Sequence, residues 1–335
     1  MILMKIISLA HGNGGKMTEK LIDNYFIKYF NNDILVEKRD SVILPLFKGK
    51  PVVSTDSFVV KPIFFPGGDI GKLAVCGTIN DLVMSGATPL YLTAGFILEE
   101  GLKVKELEKI IESMAVTARE ANVKIVAGDT KVVEKGNGDK IYINTTGIGV
   151  LENEIFTDSI KKGDKIIING SIGEHGLTVL KERKDLKFDT PLKSDCCILT
   201  DLIKKVMEES RGIKFMRDPT RGGIATVLNE ISEKYNLNIQ IDEEKISIKK
   251  EVRSLCKILG IDPLYLANEG KVLIIADEKE SDRIVDIMKK HKYGQNSCVI
   301  GSITGNENSL VYVNTKIGGK RIINKLISDM LPRIC

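Results

Sequence analysis

Five aspartates recur in one kind of setting, where an apolar strand-like run ends or a helical one begins. They are Asp40 in Arg39-Asp-Ser41, Asp56 in Ser54-Thr-Asp-Ser57, Asp81 in Asn80-Asp-Leu82, Asp129 in Gly128-Asp-Thr130 and Asp218 in Arg217-Asp-Pro-Thr-Arg221. A single aspartate in such a place usually caps a helix or closes a turn. Five of them, beside glycines and other polar residues, favour a metal–phosphate centre instead. Mg2+ takes hard oxygen ligands and is usually held by a few carboxylates together with nucleotide phosphates.

Three glycine-rich segments offer backbone N–H groups to phosphates: His11-Gly-Asn-Gly-Gly-Lys16, Pro66-Gly-Gly-Asp-Ile-Gly-Lys72 and Arg221-Gly-Gly223. The last two precede predicted helices, whose N-termini favour anions. None has the spacing of the common phosphate-binding or dinucleotide-binding loops, and glycine clusters are more often plain turns. Lys131 follows Asp129 directly after a predicted strand, and Glu269 sits in Asn268-Glu-Gly270 before another. In most proteins a lysine and a glutamate so placed are surface residues. Cys335 changes that weighting. It is the last residue, on the proline-containing and aperiodic segment Leu331-Pro-Arg-Ile-Cys335, where a cysteine serves no core. Its thiol is free to carry a group into a pocket. A prenylation box would need the cysteine four residues from the end.

These residues must be positioned by alternating strands and helices. Periodicity predicts strands over 51–58, 90–98, 123–127 and 140–151, and helices over 70–85 and 104–122, the latter with apolar residues at 107, 110, 111, 114 and 118. A second unit begins near Phe156. Its predicted strands are 165–169 and stretches near Leu237, Val272 and Val299. Its predicted helices lie near His175 and over about 194–209, 222–235, 282–291 and 320–328. With 335 residues, the chain exceeds what one core usually organises. The expected division is two α/β units over 1–153 and 154–328, with a flexible tail over 329–335 carrying Cys335.

The 49 basic and 45 acidic side chains are interspersed, so neither a nucleic-acid patch nor a membrane-surface patch is expected. The longest uncharged stretch, near 82–98, contains Gly86, Pro89 and Gly95 and falls short of the roughly 20 apolar residues that span a bilayer. A cytoplasmic protein is expected. The six cysteines form no C-x-x-C pair and only three histidines accompany them, which argues against structural zinc.

The runs Phe64-Phe-Pro-Gly-Gly-Asp-Ile-Gly-Lys-Leu-Ala-Val-Cys-Gly-Thr-Ile-Asn-Asp-Leu82, Gly128-Asp-Thr-Lys-Val-Val133, Asp218-Pro-Thr-Arg-Gly-Gly-Ile-Ala225, Ala267-Asn-Glu-Gly-Lys271 and Pro332-Arg-Ile-Cys335 resemble, in this order, those of the HypE hydrogenase maturation proteins. The terminal four residues are the most specific element. The Asn-Asp and Asp-Pro-Thr-Arg-Gly-Gly elements are similar to those of aminoimidazole ribonucleotide and selenophosphate synthetases as well.

The resemblance implies an N-terminal α/β domain whose strands form a β-barrel with those of a second subunit in a homodimer. A C-terminal α/β sandwich domain stands beside it, with ATP and Mg2+ in the cleft. It implies that Cys335 receives a carbamoyl group from the carbamoyltransferase HypF, and that ATP is used to dehydrate the thiocarboxamide to a thiocyanate. The cyano group would then pass to iron held by HypC and HypD. Residue by residue, it implies Cys335 as carrier, Glu269 as base and Lys131 as a phosphoryl or proton partner. Asp40, Asp56, Asp81, Asp129 and Asp218 become candidate Mg–nucleotide ligands, with Asp56, Asp81 and Asp218 on the metal and Gly14, Gly15 and Lys72 as weaker phosphate contacts. Two alternatives stay open: another ATP-dependent synthetase of the same superfamily, and a non-catalytic scaffold that delivers its cysteine to a partner. The N-terminal loop His11–Lys16 carries no reactive cysteine of the kind expected of a selenophosphate synthetase.

Overall fold

The computed structural model describes residues 5–38, 41–46, 48–152, 160–183, 190–305 and 308–326. Asp40, Cys335 and the expected boundary at 153/154 lie outside them. A short helical stretch opens the chain: α1 (Lys16–Leu21), a π-helical segment Ile22–Ile27 and α2 (Lys28–Phe30). Phe26 in it stacks against Phe96, with ring centroids 4.8 Å apart. The first sheet follows. It comprises β1 (Lys50–Phe58), β4 (Thr88–Glu99), β5 (Lys124–Val133) and β6 (Ile141–Leu151), in the order β1-β6-β4-β5, with a small hairpin of β2 (Phe64–Phe65) and β3 (Gly68–Asp69) at its side. Only β4 and β5 run parallel. Their crossover is α4 (Val104–Glu120), which buries Leu107, Ile110, Ile111, Met114 and Ala118 at the spacing of one helix face.

One face of this sheet is packed and the other is open. Along β1 the side chains of Ser54, Asp56 and Phe58 turn inward, while Val53, Thr55 and Ser57 are exposed, as the pleat requires. α3 (Ile70–Met84) lies on the inner face. It starts at Asp69, whose carboxylate accepts the N–H groups of Gly71 and Lys72 at 2.7 and 3.1 Å. It is buried nearly all round, because a second unit covers the side the sheet leaves bare.

That unit is a seven-stranded sheet in the order β13-β12-β9-β11-β7-β10-β8. Its strands are β7 (Lys165–Ile168), β8 (Ile213–Arg217), β9 (Asn238–Asp242), β10 (Leu273–Ala276), β11 (Cys298–Gly305), β12 (Val311–Asn314) and β13 (Lys320–Ile322). Its helices are α5 (Glu174–Arg183), α6 (Thr200–Glu209), α7 (Gly223–Tyr235), α8 (Lys250–Leu259) and α9 (Ser281–Lys289). The central strands are apolar without alternation because both faces are buried. Ile166, Ile168, Leu273 and Ile275 pack with α7 on one side; Ile167, Ile274 and Ala276 pack with α6 and α9 on the other. The second of these clusters runs without a break into Ile79, Val83 and Met84 of α3. The joint between the two units is therefore core, and the groups it carries are held as firmly as a core holds its side chains.

Three predicted elements differ from what is found. β5 does not stop at Ala127 but continues to Val133, because its pairing with β4 outweighs the polarity of Asp129 and Lys131. Both residues therefore lie inside a strand. The helix predicted from about 194 begins only at Thr200, since the preceding chain is captured by Asn80: its Nδ2 donates to Cys197 O and its Oδ1 accepts Leu199 N–H, each at 3.0 Å. The helix predicted over 320–328 begins instead as β13, because Gly318, at φ 86°, turns the chain back to pair with β12.

Candidate active site

Four of the carboxylates singled out in the sequence converge where the two units meet. Asp56 comes from β1, Asp81 from α3, Asp218 from the residue after β8 and Glu269 from the loop before β10. A cavity of about 430 Å³ is lined by Asp56, Asp81, Asp218 and Glu230, with Arg217 and Arg221 among them. Arg221 donates to Asp56 Oδ1 at 3.2 Å, and Ser54 Oγ donates to Asp81 Oδ2 at 2.8 Å. Glu269 is only 4% exposed.

The electrostatics show carboxylates short of counter-charge. Burial, and then the neighbouring Asp81 and Asp56, push Asp218 up to about 7. Burial raises Asp81 as well, with Asp56 adding to the effect and Ser54, Arg221 and Arg217 opposing it. Glu269 is held well above the usual carboxylate range by burial first and then by Asp218, Asp195, Asp56 and Asp81. Such a set fits a divalent cation. No three His, Cys, Asp or Glu residues among those described are disposed to hold an ion, and a cation bound here would need oxygens from a ligand as well.

Two anchors fix this arrangement. Asn268 Nδ2 donates to Pro219 O at 3.1 Å and to Leu266 O at 2.9 Å, while its Oδ1 accepts Gly173 N–H at 2.7 Å. Its backbone N–H also donates to Pro219 O, so the Asp218 and Glu269 loops are tied together directly. Gly223, at φ 61°, is the second anchor. A Cβ there would stand 2.6 Å from Leu266 O, so the Arg221-Gly-Gly223 turn lies tight on the Glu269 loop.

The remaining sequence candidates are elsewhere in the chain. Across the first sheet, Ser57 faces Asn144, Asn144 faces Gly95 and Gly95 faces Asp129. Three strand spacings separate β1 from β5, about 14 Å. Asp129 and Lys131 stand on the open face, paired with each other at 2.7 Å and largely exposed. One chain does not bring Lys131 to Glu269. Gly14, at φ 77°, and Gly15, the N-cap of α1, lie in the loop that follows Gly12, which backs onto Val132 of β5. They accompany Asp129 and Lys131, not Asp56. Lys72 stands at the other end of α3 from Asp81, nine residues or about 13 Å along the axis. It lines a separate cavity with Asp195 and Lys271.

Sequence reading passed over several of the residues that complete the site. Arg217 and Arg221 flank Asp218 in Arg217-Asp-Pro-Thr-Arg221, and that spacing was their available signal. Asp195 had none. It is buried in an irregular segment, where its carboxylate accepts Glu269 N–H at 3.2 Å, Gly270 N–H at 3.3 Å and the Lys271 ammonium at 2.7 Å.

Residues 39–151 match the family described as AIR synthase related protein, N-terminal domain, and residues 161–314 match its C-terminal domain. The carbamoyl dehydratase HypE of Cupriavidus necator is 45% identical over 332 residues, covering 98% of this chain and 95% of that protein. A crystal structure of the hydrogenase maturation protein HypE in complex with ATP superposes with a TM-score of 0.93 at 44% identity, over 98% of this chain and 99% of that one. A HypE–HypF complex structure matches with a TM-score of 0.80 at 48% identity, over 93% of this chain and 100% of that one. With nearly its whole length matched in sequence and in structure, this chain belongs to the HypE carbamoyl dehydratases, the hydrogenase maturation proteins built on the AIR synthase-related fold.

Proposed function

We propose that the chain uses ATP to dehydrate a thiocarboxamide carried on Cys335 to a thiocyanate, the source of a cyanide ligand for the iron of nickel–iron hydrogenase. The observation that carries this reading is Glu269, buried and raised, set against the cavity of Asp56, Asp81 and Asp218. An amide oxygen leaves poorly until it is phosphorylated. The γ-phosphoryl of ATP moves to that oxygen, the two N–H protons are removed, and the C–O bond breaks to give C≡N, orthophosphate and ADP. Mg2+ bound with the nucleotide by Asp56, Asp81 and Asp218 would offset charge on the transferred group. Arg217 and Arg221 line the same cavity and add positive charge there. Glu269 takes the amide protons: a carboxylate of raised pKa is a stronger base once ionised.

HypF as carbamoyl donor and the HypC–HypD pair as acceptor belong to this reading, as does a cytoplasmic setting. So does a homodimer. On the first sheet's open face, Val53 is 64% and Ile97 44% exposed, beside Asp129 and Lys131. A second copy laid on that face would close the two sheets into a barrel and cover the apolar side chains. It would also set Asp129 and Lys131 between subunits, which gives them a place in the site that one chain does not. Mass spectrometry of the C-terminal peptide tests the chemistry. After the carbamoyl donor alone the peptide should carry the carbamoyl group, and with ATP it should become lighter by one water. Loss of that water in Cys335→Ala protein, or a peptide mass indifferent to ATP, would refute the reading.

A further inference from the structure

At the Lys72 end of α3 lies a second cavity, of about 390 Å³, whose charge is opposite to that of the first. Four lysines line it: Lys72, Lys249, Lys271 and Lys292. Two carboxylates face them. Asp195 accepts from Lys271 at 2.7 Å, and Glu174 takes Lys249 and, at 3.6 Å, Lys271. Four ammonium groups against two carboxylates leave an excess of two positive charges. Among the described residues, Lys72 has a carbonyl partner, Gly67 O at 3.1 Å, and Lys292 lies over the Tyr293 ring at 4.6 Å; neither has a carboxylate within ion-pair distance.

The cavity is also built. Lys271 is 8% exposed and fixed by its two acids, so it cannot swing out to solvent. Asn169 Nδ2 bridges opposite walls by donating to Gly270 O at 3.0 Å and Tyr293 O at 2.9 Å, and its Oδ1 accepts Val272 N–H. The uncharged lining is polar, with Ser171, Gln295 and Asn296. Little apolar surface is present to hold a base or an alkyl chain. Gly270 and Asp195 both line the cavity, and the Asp195 carboxylate accepts the N–H groups of Gly270 and of the adjoining Glu269.

We propose that this cavity is a binding site for a small dianionic oxyanion of the orthophosphate class, distinct from the carboxylate cavity across the Glu269 loop. Two excess positive charges match a phosphate dianion, and the Lys72 and Lys292 ammonium groups with the Gln295 and Asn296 side-chain amides line the cavity as donors to its oxygens. The carboxylate cavity, by contrast, repels a free anion. The inference rests on the proposed reaction only for the anion's source, since dehydration at the expense of ATP releases orthophosphate.

The test is orthophosphate binding to the full-length protein at low ionic strength, followed by calorimetry. Two substitutions at the exposed rim, the charge reversal Lys292→Glu and the charge introduction Gln295→Glu, should each weaken it about tenfold or more. Saturation with a non-hydrolysable ATP analogue and Mg2+ should leave phosphate binding within about twofold, because the sites are separate. Failure of the wild type to bind phosphate, indifference to both substitutions, or complete displacement by the analogue would overturn the proposal. Because the measurement needs no carbamoyl group, its outcome is independent of whether the dehydration reading stands.

Discussion

Replacing Asp218 by asparagine should make the nucleotide-free protein more stable while abolishing its ATP turnover. Asp218 is pushed up to about 7 from an ordinary 3.8 by burial and by Asp81 and Asp56. About three units at 1.36 kcal/mol each give about 4 kcal/mol as the cost of keeping it ionised in the fold. Water in the surrounding cavity lowers this, so about 2–4 kcal/mol is the working range. The sign follows from the raised value. Between about pH 4 and pH 7 the folded chain holds a proton that the unfolded chain has released, so the stabilisation present below pH 4 is lost as the pH climbs through 7. The asparagine variant has no such loss. Wild type and variant should converge in thermal melts at about pH 4, separate progressively between pH 4 and pH 7, and differ by several degrees at pH 8, in chelator and without nucleotide. A variant no more stable than wild type at pH 8, or a gap that does not widen with pH, would refute the electrostatic account. Wild-type ATP hydrolysis by the folded variant would remove Asp218 from the site.

Glu269→Gln should accept the carbamoyl group on Cys335 and fail to dehydrate it, read by C-terminal peptide mass with ATP present; formation of thiocyanate at the wild-type rate would remove Glu269 as the base. Asp195→Asn leaves Lys271 with Glu174 alone and weakens the hold on the Glu269 and Gly270 N–H groups. Breaking such a buried pair should cost about 3–5 kcal/mol in urea unfolding, and a loss below about 1 kcal/mol would contradict the role given to it. Val53→Glu on the open face should yield monomers by sedimentation and lose activity with them; an unchanged, fully active dimer would place the subunit contact elsewhere.

What the sequence made legible was whatever depends on one element at a time. The spacing of Leu107, Ile110, Ile111, Met114 and Ala118 announced α4, and the apolar run before Asp56 announced β1, because a buried face imposes its period on the chain. Asp56, Asp81 and Asp218 could be chosen, in a group with Asp40 and Asp129, because an aspartate beside an apolar run stands out locally. Glu269 gained its role as base only through the run Ala267–Lys271 that carries the resemblance. Lys72 shows the limit of that reasoning. It shares α3 with Asp81, yet a rise of about 1.5 Å per residue puts it at the far end of the helix and in a cavity of opposite charge. Asp195 shows another. Its environment is assembled from Lys271, Glu174 and the Glu269 loop, all distant in sequence, and the segment carrying it has no period to read. Lys131 and Asp129 show a third, since the strand that carries them sets them about 14 Å across the sheet from Ser57 and on its open face. An element-by-element reading places residues along the chain; what it lacks is the distance across a sheet and the surface a second copy would supply. For a site divided between two units of one chain, and in the proposed dimer between two chains, those are the quantities that decide which groups meet.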